Sequence, residues 1–80
     1  MRLEFTTQSS AQSFADRLHS WMISNYPWYS ESVSKGQTTA FAIPYQDRDI
    51  DGNILSASWY VNLKERALGG LSQEEKQGIK

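Results

Sequence analysis

The sequence predicts an α+β fold in two layers. One main helix packs on a four-stranded antiparallel sheet, in the order β-α-β-β-β with short helical segments toward the C-terminus. Three observations carry this reading. Ala11, Phe14, Ala15, Leu18, Trp21 and Met22 are spaced by threes and fours, the period of a helix with one buried face. Leu55, Ala57, Trp59, Val61 and Leu63 alternate with the polar Ser56, Ser58, Asn62 and Lys64, the period of a half-buried strand. Asp51-Gly52 separates this second run from Phe41-Ala42-Ile43-Pro44-Tyr45, and Asp-Gly between strand-like runs signals a hairpin.

The elements follow in order. Leu3 and Phe5 alternate with Arg2, Glu4 and Thr6, which predicts a first strand. Ser9 with Gln12 three residues later has the spacing of a capping box, in which each side chain satisfies a backbone N–H at the helix start. The spacing predicts a helix from about Ser10 to Asn25. Pro27 stops it, because proline lacks the N–H and disfavours helix at the residue before it. A short strand is expected near Tyr29 to Ser34, then a turn at Lys35-Gly36, then the two hairpin strands. After Leu63 a helical turn or so is expected before Gly69-Gly70 breaks the chain. Ser72 and Glu75 have the spacing of a second capping box, opening a short terminal helix that Gly78 weakens. Residues 1–80 form a single domain, with 69–80 a loosely attached segment.

Asp47-Arg48-Asp49-Ile50-Asp51-Gly52-Asn53 is the most informative stretch. An EF-hand loop places oxygen ligands at positions 1, 3 and 5, glycine at 6 and a bidentate Glu at 12. Asp47, Asp49, Asp51 and Gly52 match the first half, so half the loop resembles an EF-hand. Position 12 is Ser58, which has no carboxylate, and the flanks read as strands where an EF-hand needs helices. A plain hairpin is preferred to a calcium site, and no cofactor is expected. A three-residue loop, Ile50-Asp51-Gly52, places glycine where a left-handed conformation is needed. That register sets Ile43 opposite Trp59 and Phe41 opposite Val61. The opposite sheet face would carry Ala40, Ala42, Ser56, Ser58, Tyr60 and Asn62. That face is flat and uncharged, either solvent-facing or a docking or dimer surface.

Composition excludes several functions. The chain has 80 residues, no cysteine and a net charge of −1. Disulfides and thiolate metal sites are absent, which suits a reducing cytoplasm. No apolar run approaches the ~18 residues of a membrane helix, and Met1-Arg2-Leu3-Glu4-Phe5 does not read as a signal peptide. No basic field draws nucleic acid. The order of helix, three strands and terminal helix resembles that of double-stranded-RNA-binding domains. Such domains need a basic face, and here Lys76 and Lys80 sit among Glu74 and Glu75. The only histidine, His19, lies three residues after Asp16 on the expected polar face of the helix, where a surface pair explains it without chemistry. No enzymatic constellation is read.

Binding is the expected function. Tyr26-Pro27-Trp28-Tyr29 sets three aromatics around a proline, and Trp and Tyr dominate interface hot spots. Asp47, Asp49 and Asp51 could imitate a row of phosphates in a basic groove on a partner. The expectation is a small cytoplasmic, non-enzymatic protein-binding module, an adaptor or an inhibitor of the phage-encoded type in size and style. Its partner-binding residues are Asp47, Asp49, Asp51, Trp28, Tyr29 and Tyr60. The partner is another protein, with a nucleic-acid-binding protein among the candidates and a homodimer open. The alternatives are a nucleic-acid-binding module and a domain stabilised by Ca2+ at the loop.

Overall fold

The computed structural model describes all residues from Met1 to Lys80. The elements are β1 (Arg2–Phe5), α1 (Gln8–Asn25), α2 (Pro27–Ser34), β2 (Trp59–Asn62), a 3₁₀ helix (Glu65–Gly70) and α3 (Gln73–Gln77). The fold is α+β, but the expected four-stranded sheet is overturned. The sheet has only two strands, and the chain has more than one helix, of which α1 packs on the sheet. β1 and β2 pair antiparallel, with Leu3 opposite Val61 and Phe5 opposite Trp59.

α1 forms where its apolar stripe is. Ala11, Phe14, Ala15, Leu18 and Met22 are buried. The N-cap is Thr7 rather than Ser9: its extended backbone lets the hydroxyl accept the Ser10 N–H at 3.1 Å. Pro27 ends α1 but also opens α2 at its first position. There the missing N–H has no partner to lose. This overturns the strand expected near Tyr29 to Ser34. Tyr29 and Val33 stand four residues apart, so a helix sets both on one face, and Val33 packs against the cluster that Tyr29 forms with Met22 and Ala67. The larger cluster holds Leu3, Phe14, Leu18, Val61, Leu63 and Leu71 among its buried members.

The hairpin is correct at its tip and slips at its base. Arg48 bridges Ile54, and the Asp49 N–H donates to the Asn53 carbonyl at 2.9 Å. Gly52 takes φ 85°, as the three-residue loop requires. The next bridge is Tyr45 with Tyr60. Only Gln46 and Asp47 separate the bridges on one side, against Leu55 to Trp59 on the other. The Ser56 hydroxyl accepts the Ser58 N–H at 3.2 Å, folding the chain on itself within this excess. A side chain that bonds nearby backbone competes with ladder formation. Ile43 therefore does not face Trp59, nor Phe41 Val61, and residues 39–58 form an arm rather than two strands.

The C-terminal segment returns to the body. The helical turn expected after Leu63 is a 3₁₀ helix that runs through Gly69 and Gly70 rather than breaking there, and the Ser72/Glu75 capping box is present. Glu75 pairs with Arg17 of α1, Ile79 packs against the core, and Arg2 and Lys80 exchange backbone hydrogen bonds. Gly69 and Gly70 form a platform for the Trp21 ring, and a Cβ built on Gly70 would lie 2.7 Å from it.

Gly70→Ala is expected to lower stability by about 1–3 kcal/mol, the usual range for overpacking, read as a fall in the urea midpoint. An unchanged midpoint would mean that Trp21 does not rest on this platform.

Candidate functional site

The three carboxylates of the acidic loop do three different jobs. Asp47 takes two hydrogen bonds from the Arg2 guanidinium, at 2.8 and 3.1 Å. That guanidinium lies 3.7 Å from the centre of the Tyr60 ring and 3.4 Å from the Tyr45 hydroxyl. The Tyr45 hydroxyl in turn donates to Asn62 at 2.8 Å. The bond to Arg2 holds the Asp47 carboxyl below its ordinary range, and Arg2 is held still more firmly protonated. Asp49 turns inward on its own loop, accepting the N–H groups of Asp51 and Asn53 at 2.9 Å each. Those donors, Asn53 first, hold it low as well. Only Asp51 points free into solvent.

The row of three is therefore not presented as a row. No three acidic or histidine side chains gather where they could hold a metal ion. Tyr60 was expected on an open sheet face, but Arg2 and Tyr45 cover it and it is buried. Its role as a partner contact is not supported by this placement.

The aromatic corner also divides. Tyr29 is buried, and its hydroxyl lies 2.8 Å from Nδ1 of His19. His19 is thus engaged by α2 rather than by Asp16, which instead accepts from Gln12 at 2.9 Å. Burial pushes the Tyr29 hydroxyl up, so it stays protonated near neutrality. Trp28 remains on the surface, 49% exposed, with the Arg66 guanidinium 5.0 Å from its ring centre.

Two features were not singled out from sequence. The first is the apolar content of the arm. Six large apolar residues are exposed, and four lie on it: Ile43 at 81%, Ile50 at 100%, Ile54 at 52% and Leu55 at 66%. Ile50 at the tip of an acidic turn was the available signal, since turn positions favour small polar residues. The second is a groove of about 220 Å³ beside α2. Met22, Tyr29 and Phe41 line it with Trp28, and Lys64 and Arg66 add two cations. These residues are distant in sequence, and no local pattern joins them.

No family model, curated protein or solved structure matches this chain. No helix is long and apolar enough to cross a membrane.

Asp47 and Glu4 both ionise more readily folded than unfolded, Glu4 because Lys80 and Ser58 bond its carboxylate. A lowered folded value contributes stability above the unfolded value, and this is lost as pH falls through the folded one. The urea midpoint is therefore expected to fall between about pH 5 and pH 3. Asp47→Asn should lower the midpoint at pH 7 and flatten that acid limb; an equally steep limb in the variant would show that the Arg2 pair is not formed. Millimolar calcium is expected to leave the melting curve unchanged, because Arg2 and the loop N–H groups already engage Asp47 and Asp49; a rise, which a ligand that binds only the folded form must produce, would show a calcium site.

Proposed function

We propose that the chain is a non-enzymatic protein-binding module that docks through its arm. The exposure of Ile43, Ile50, Ile54 and Leu55 carries this reading. Apolar side chains concentrated on one exposed segment, rather than scattered singly, are a mark of interaction surfaces. An arm anchored at its base suits such a role. The Tyr45–Tyr60 bridge and the Arg2–Asp47 pair tie it to the sheet, while the Asn53 and Asp51 N–H groups on Asp49 shape its tip.

Asp49 and Asp51 flank the fully exposed Ile50. A protein recess that is apolar inside and basic at its rim fits this tip. Mimicry of nucleic-acid phosphates then rests on Asp51, since Arg2 neutralises Asp47 and the loop's own N–H groups engage Asp49. An inhibitor of a nucleic-acid-binding protein remains a form of this reading. Direct nucleic-acid binding has less support: Arg2, Arg17, Lys35 and Lys80 each pair with a carboxylate. A protein that neutralises phosphates needs such cations free.

A variant carrying Ile50→Ser, Ile54→Ser and Leu55→Ser should keep the far-ultraviolet circular dichroism of the parent. Affinity capture with the parent should retain one stoichiometric protein that this variant loses. Interface anchors of this kind contribute on the order of 2 kcal/mol each when truncated. Asp51→Asn should weaken capture less. A partner retained undiminished by the triple variant would refute docking through the arm.

A further inference from the structure

We infer that the groove beside α2 is a second docking site, which takes one large apolar side chain from an acidic peptide. It does not depend on the arm's exposed apolar side chains: none of Ile43, Ile50, Ile54 and Leu55 lines it, and of the arm only its first residues, Ala40 and Phe41, do.

The floor sets the apolar half of the recognition. Met22 and Tyr29 are buried, Phe41 is half-buried, and Trp28 stands beside them with its ring half exposed. The rim sets the charge. Lys64 and Arg66 are exposed, no carboxylate lies within ion-pairing distance of either, and no acidic residue lines the groove. An incoming carboxylate meets two unpaired cations and no repulsion from the walls.

Size selects the occupant. The groove encloses about 220 Å³. Sites for free drug-sized ligands run to about 300–1,000 Å³, whereas a cavity of about 150 Å³ holds benzene. The space therefore suits one Phe- or Leu-sized side chain, with the rest of its chain lying outside across the rim. Such a chain would bring its own carboxylates to Lys64 and Arg66.

The walls are pre-positioned. Trp28 and Tyr29 sit on α2, with their rings 5.8 Å apart and nearly perpendicular. The Tyr26 hydroxyl donates to the Arg66 carbonyl at 2.9 Å, which fixes that backbone against the start of α2. Arg66 then reaches over the Trp28 face, an arrangement in which cation and ring attract each other. Anchors held by rigid elements lose less freedom on binding.

The test is a titration of the full ¹⁵N-labelled chain with the acetylated, amidated peptide Asp-Glu-Phe-Glu-Asp. Saturable shifts are expected at the Trp28 indole N–H and at the amides of Phe41, Lys64 and Arg66. Replacing the peptide's Phe by Ser should weaken binding at least about tenfold, or about 1.4 kcal/mol. Lys64→Glu with Arg66→Glu should do the same, and the milder Lys64→Gln with Arg66→Gln should weaken it less while the dispersed spectrum persists. The Ile50→Ser, Ile54→Ser, Leu55→Ser variant should bind as the parent does, which separates this site from the arm. No saturable shift at millimolar peptide would overturn the proposal. So would equal binding of Lys-Lys-Phe-Lys-Lys, shifts confined to residues 43–58, or equally tight binding of free phenylacetate.

Discussion

Leu18 of α1 and Val61 of β2 are both wholly withdrawn from solvent, in one apolar cluster, and the rest of the structure depends on that burial. A two-stranded ribbon is marginal alone in water. β1 and β2 persist because α1 lays its stripe across them. Full burial of a Leu or Val side chain contributes about 1.5–3 kcal/mol, so these positions hold helix and ribbon together. The stripe then continues to Met22, where α2 and Ala67 of the 3₁₀ helix close over the end of α1. In a chain this short, one helix serves two clusters.

The same economy leaves the arm outside. The core is complete without residues 46–58, and only the Tyr45–Tyr60 bridge continues the sheet toward them. Arg2 is the link between fold and candidate function. It belongs to β1, lies over Tyr60 of β2 and grips Asp47 at the base of the arm. Covering Tyr60 removes one candidate contact surface; holding Asp47 helps set where the apolar tip projects. The groove beside α2 is a separate product of the junction between α1 and α2, where a surface Trp and two free cations surround buried apolar side chains.

Much of this architecture was legible locally. The α1 stripe, the stop at Pro27, the turn at Gly52 and the Ser72/Glu75 capping box are each written within a few residues of where they act. What misled was period over short runs. Residues 29–34 fit a strand as well as a helix until the cluster around Met22 and Ala67 takes in both Tyr29 and Val33. The alternation from Leu55 to Leu63 looks like one strand, yet only its later part pairs, because Phe5, Leu3 and Met1 line up against Trp59, Val61 and Leu63. The candidate site was legible only as a segment. Nothing near Asp47 in sequence announces Arg2, 45 residues away, and so its carboxylate read as free. The exposure of Ile54 and Leu55 follows from the slip between the two bridges, which no local pattern records.

The central claim is that the arm's apolar side chains stand in water while α1 and the sheet are packed. Paramagnetic relaxation of methyl signals by a soluble gadolinium chelate measures this directly. Strong relaxation is expected at the methyls of Ile43, Ile50, Ile54 and Leu55, with Leu18 and Val61 protected. Arm methyls as protected as Leu18 would mean that the arm folds onto the body or onto a second copy, and would contradict the account.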